Sequence, residues 1–135
     1  MKRKKISYNF KTRIPGEHSS LREVLLDGKL AKFGDSYVNF IYSLALSMKE
    51  GVPQGSRVQG MVLSQALREA NLRGFLPNRS DRHVQADAAE ALIAFSWIKE
   101  IVSLEDSVDI LLDNLNEPSE AFTVLLKLII ERLSW

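Results

Sequence analysis

From Ser20 to the end of the chain, apolar residues recur at helical spacing, and no segment alternates long enough to make a strand. That single pattern restricts the chain to an all-α class. At 135 residues it reads as one compact helical domain, large enough to bury roughly two thirds of its unfolded surface without covalent staples. The breaks between helices are marked by capping and turn residues. Ser20-Leu21-Arg22-Glu23 is a capping box for a short helix that Gly28 is expected to close. A second helix runs from about Leu30 to Lys49 and stops at Gly51. A third covers Val58 to Asn71. After the loop 73–79, Ser80 or Asp81 caps a fourth helix from Arg82 to Val102. Ser103 caps a fifth that ends near Asn114, and a sixth opens at Asn116-Glu117-Pro118-Ser119 and reaches Leu133. Residues 6–16 read as an extended arm. The domain assignment is therefore a basic N-terminal arm, 1–16, and a single helical domain, 17–135.

Charge is unevenly distributed. The arm holds Lys2, Arg3, Lys4, Lys5, Lys11 and Arg13 and no acid. It leaves 12 basic against 17 acidic residues, a net of −5, on the rest. Such a tail either contacts nucleic-acid phosphate or is simply solvated. No cysteine is present, so disulfides, thiolate zinc sites and a cysteine nucleophile are excluded, and the expected compartment is cytoplasmic. No apolar run is long enough to span a membrane.

Two stretches place acids among core-like residues: Leu30-Ala31-Lys32-Phe33-Gly34-Asp35 and Asp87-Ala88-Ala89-Glu90-Ala91-Leu92-Ile93. A carboxylate among apolar neighbours loses hydration and needs a partner to stay charged. In the second helix, Leu30, Phe33, Gly34, Tyr37, Ile41, Leu44 and Met48 form an apolar stripe with Asp35 on its flank. In the fourth, Val84, Ala88, Ala91, Phe95 and Ile98 form the stripe, with Asp87 at its edge and Glu90 beside it. Gly34 weakens its helix by roughly 1 kcal/mol relative to Ala, which is tolerable where another backbone or a ligand must come close. A divalent cation is one partner for Asp35, Asp87 and Glu90. The other option is that these acids cap, face water or pair with Lys32, Arg79 or Arg82. His83, one turn before Asp87, could orient Asp87, hold phosphate or be an ordinary surface residue. Trp97 and Trp135 read as core or interface anchors, and the apolar last helix as the closing member of a bundle or a partner face.

Leu-Ala-Lys-Phe-Gly-Asp resembles the signature helix of the ribonuclease III catalytic domain, which centres on a Gly-Asp pair. The run from Arg79 to Ile93 resembles its second motif, a basic loop leading into Ala-Asp-x-x-Glu-Ala-Leu-Ile. The resemblance implies an all-α endonuclease fold that acts as a homodimer on double-stranded or structured RNA. Its cofactor would be Mg²⁺, with Mn²⁺ able to substitute, and its products 5′-phosphate and 3′-hydroxyl ends. It implies Asp35, Asp87 and Glu90 as metal-binding, catalytic carboxylates. Lys2, Arg3, Lys4, Lys5, Arg79, Arg82 and His83 are the expected RNA contacts. The chain departs from the family where a signature glutamate is replaced by Ala31, a second by Gly28 and an aromatic by Lys32. Leu-Ala also precedes the Gly-Asp helix in the compact Mini-III branch, and no segment could form a double-stranded-RNA-binding domain. The resemblance thus points to a divergent, stand-alone endonuclease domain. Ala31 and Gly28 keep open a catalytically weak or inactive relative that binds RNA or protein.

Overall fold

The computed structural model describes residues 10–135. Its helices are α1 (Leu21–Leu25), α2 (Gly28–Glu50), α3 (Gly60–Glu69), α4 (Arg82–Ile98), α5 (Leu104–Asp113) and α6 (Pro118–Arg132), with short 3₁₀ turns at Phe10–Arg13 and Arg73–Phe75. No strand occurs among the described residues, as the period requires.

The bundle is organised around α4. Gln85, Ala86 and every residue from Ala88 to Ser96 are buried, so this helix is enclosed on all sides rather than along the stripe its sequence suggests. Its many alanines let α2 and α3 lie close on either flank, and α6 packs on α3 and α5 to close the bundle. The closest approach is at Gly34. A Cβ there would lie 2.6 Å from the carbonyl carbon of Glu90 and closer still to its oxygen. The glycine expected from sequence to admit another backbone does so, and the backbone is that of Glu90.

Caps follow their residue types. Ser20, Asp27, Asp81 and Ser103 each accept a backbone N–H in the first turn of α1, α2, α4 and α5. Gly51 ends α2 in the left-handed region at φ 75°. Four expectations need correction. Gly28 does not close α1. Leu26 does, and Gly28 opens α2 behind the Asp27 cap, whose carboxylate also bonds the His18 ring at 2.8 Å. Helix α4 stops at Ile98, not Val102, because Glu100 turns left-handed (φ 58°) and Ile101 N–H donates to the Ser96 carbonyl. Helix α3 begins two residues late because the chain before it is extended. The arm is also not extended throughout. Residues 10–13 form a turn, and Lys11 lies over the Trp97 ring while donating to the Trp97 carbonyl.

On α2 the buried face is Leu30, Ala31, Gly34, Tyr37, Val38, Ile41 and Ala45. Phe33 and Met48, expected on the stripe, are exposed. Trp97 is half-buried against Tyr37, whereas Trp135 is exposed and stacks on Phe95. No helix among the described residues is long and apolar enough to cross a membrane.

Candidate active site

The close approach at Gly34 determines the site. Asp35 follows that glycine on α2, so its side chain lies beside the α4 turn that carries Glu90. The two carboxyl groups come within hydrogen-bonding reach of each other. Glu90 is only 8% exposed. Burial, the hydrogen bond with Asp35, and then the charges of Asp35 and Asp87 together push its pKa from an ordinary 4.5 up to about 8, with Arg57 offsetting part of the rise. Glu90 thus keeps its proton to a higher pH than an ordinary glutamate.

Asp87, one turn earlier on α4, is exposed. Its pKa is also raised, chiefly by desolvation, with His83 opposing the rise and Asp35 and Asp81 adding to it. Asp87 and Asp35 therefore feel each other's charge. Among the described residues, however, no group of three or more Asp, Glu or His side chains comes together closely enough to hold a metal ion as a set. The three acids singled out in the sequence converge as a contacting pair, Asp35 and Glu90, with Asp87 at its margin.

The expected partners of these acids are not the ones found. Lys32, Arg79 and Arg82 are exposed. The cation that reaches the pair is Arg57, whose guanidinium nitrogen lies 3.6 Å from Asp35 Oδ1. Asn39 Nδ2 donates to the same oxygen at 3.3 Å, and Asn39 Oδ1 accepts the Val58 N–H at 2.8 Å. Asn39 lies one turn after Asp35, so the helical wheel could have found it. Arg57 comes from a loop, and no spacing in the sequence announces it.

Of the expected RNA contacts, Arg79, Arg82 and His83 lie on the loop and first turn leading to Asp87. Arg79 and Asp87 share a hollow of about 460 Å³ with Pro77, Ser80 and Val84. Lys2, Arg3, Lys4 and Lys5 lie outside the described residues. Ala31 is buried in the core, and Gly28 lies exposed at the start of α2.

The acid pair makes folding stability depend on pH. Glu90 binds its proton more tightly folded than unfolded, so between pH 4.5 and about 8 the native state carries more protons than the unfolded chain. Stability is then greatest at the acid end of that window and is lost as pH rises through it. Asp87 contributes in the same direction. Thermal melts in EDTA should fall from pH 5 to pH 8 by the equivalent of only about 2 kcal/mol, because solvent screens the charge of the partly exposed Asp35. The dependence should flatten in Glu90→Gln. A parent melting point that rises across the window would contradict this electrostatic picture.

In comparison with known proteins, the family model described as Ribonuclease III matches residues 28–134. No curated protein matches the chain.

Proposed function

Because the chain belongs to the ribonuclease III family, we propose that it is a metal-dependent endoribonuclease. It cuts double-stranded or structured RNA to 5′-phosphate and 3′-hydroxyl ends. The observation that carries this reading is the close approach of α2 to α4 at Gly34, which sets Asp35 beside the buried Glu90 in the environment a bound cation would complete.

A divalent cation suits this donor set. Mg²⁺ is commonly held by one or two carboxylates, with water and substrate phosphate completing its shell. Asp35 and Glu90 would hold it directly, and Asp87 would act from the margin through its charge. When bound, the cation supplies an activated water and neutralises charge developing on phosphate oxygens. The remaining work belongs to the chain's own groups. Glu90 must give up its proton for the pair to bind a cation. Asn39 fixes the orientation of the Asp35 carboxylate. Arg79, Arg82 and His83 lie on the loop and first turn leading to Asp87, where they can contact phosphate, and Lys2 to Lys5, outside the described residues, are further basic groups that can do the same.

Ala31 does not weigh heavily against activity on this account, since the acid pair assembles without it. The reading includes a two-fold homodimer, supported by Phe33 and Phe40, which remain exposed at heptad spacing on α2. A cytoplasmic location is part of the same proposal and fits the absence of cysteine.

The purified protein should cut duplex RNA in Mg²⁺ or Mn²⁺ and stop in EDTA, with end-group analysis finding 5′-phosphates. Binding of duplex RNA without cleavage in either metal would favour the inactive-relative reading instead.

A further inference from the structure

The segment before α3 is extended, yet among the described residues there is no strand for it to pair with. Side chains of α2 take that role. Ser47 Oγ accepts the Gln54 N–H at 2.9 Å and donates to the Gln54 carbonyl at 3.2 Å. Ser43 Oγ does the same for Ser56, at 2.8 and 3.1 Å. Asn39 Oδ1 accepts from Val58 at 2.8 Å.

The register has a geometric basis. One step of four residues along a helix advances about 6 Å, and one step of two residues along an extended chain advances about 6.6 Å. A ladder of Asn39, Ser43 and Ser47 can therefore bond every second residue of a segment running antiparallel to α2. Its last rung is Asn39, which also bonds Asp35. That register leaves Arg57, between the Ser56 and Val58 rungs, beside Asp35.

The Arg57–Asp35 pair itself is weak. Its nitrogen–oxygen distance is 3.6 Å, and the two side chains are 79% and 44% exposed. Exposed pairs of this kind contribute about 0–1 kcal/mol, so a phosphate or a metal ion can displace either member. A planar guanidinium is also the side chain best matched to two phosphate oxygens.

We infer that Arg57 is a substrate-contacting residue of the acid site: it covers Asp35 in the free protein and transfers to a backbone phosphate of the bound RNA. The Asn39–Ser43–Ser47 ladder is the positioning device that keeps it within reach of both. This assignment rests on the proposed endoribonuclease function and adds to it a specific phosphate contact. Arg57 and a divalent cation compete for Asp35 until RNA offers the guanidinium another anion, so cation and RNA should reinforce each other's binding.

Two titrations test the inference. In the first, Mn²⁺ alone is added to the parent and to Arg57→Ala. The variant should bind Mn²⁺ about three- to ten-fold more tightly, because a competing charge is gone. In the second, duplex RNA binding is followed against salt with Ca²⁺ in place of Mg²⁺. The log–log slope should fall by about one in Arg57→Ala and be restored in Arg57→Lys. The Ser43→Ala, Ser47→Ala double variant keeps the arginine but loosens its segment, and should lose RNA affinity while tightening Mn²⁺ by less than Arg57→Ala does. Equal salt slopes in Arg57→Ala and a parent that cuts RNA would overturn the Arg57 assignment and leave the proposed nuclease standing. A parent that does not cut in Mg²⁺ would overturn the proposed function and this inference with it.

Discussion

Gly34→Ala should cost the protein about 3 kcal/mol or more and separate the acid pair. Alanine ordinarily strengthens a helix interior by roughly 1 kcal/mol relative to glycine. Here that gain is outweighed, because the added methyl collides with the Glu90 carbonyl group, and a backbone cannot rotate out of the way. Overpacking a core typically costs 1–3 kcal/mol where side chains can adjust, and a backbone obstacle belongs at or above the top of that range. For a domain of this size the melting point should drop by about 10 °C. Whatever folds should have α2 and α4 pushed apart, with Asp35 no longer against Glu90. Gly28→Ala is the internal control, since a Cβ at Gly28 meets nothing within 4 Å. Its melt should match the parent's or exceed it slightly. Equal melting points for Gly34→Ala and Gly28→Ala would show that the helices can move apart freely, contrary to this account.

Glu90→Gln should separate activity from stability. If Glu90 holds the cation, removing its charge should slow cleavage about a thousand-fold or more, roughly 4 kcal/mol of lost transition-state stabilisation. The metal-free fold should be as stable as the parent or more so above pH 7, because the variant no longer has to hold a buried acid against two others. A structural ion-pair partner behaves in the opposite way: its loss destabilises the fold and leaves chemistry to decline only with the folded fraction. Single-turnover cleavage and thermal melts in EDTA on the same preparation distinguish the two.

The parts of this fold that were legible in the sequence are those with local causes. Ser20, Asp81 and Ser103 capped where their side chains could reach a first-turn N–H, and Gly51 stopped α2 because it alone there turns left-handed cheaply. The Gly34-Asp35 and Asp87-to-Glu90 segments carried the acid pair, since few reasons exist to place carboxylates among alanines and leucines in two helices. What escaped has tertiary causes. The end of α4 depends on Glu100, a residue type that does not advertise a left-handed turn. The enclosure of α4 on all sides depends on α3 and α6 arriving from elsewhere in the chain. The Asn39–Ser43–Ser47 ladder is visible on a helical wheel only as three small polar residues. Its meaning appears once the extended segment lies along it, and Arg57 takes its place at Asp35 for the same reason.

If Asp35 and Glu90 together hold the cation that drives RNA cleavage, equilibrium Mn²⁺ binding at pH 8, without RNA, should differ among the parent, Asp35→Asn and Glu90→Gln. The account predicts a saturable site in the parent that weakens at least ten-fold in each variant, with all three proteins folded. Mn²⁺ affinity left unchanged by both substitutions would contradict it.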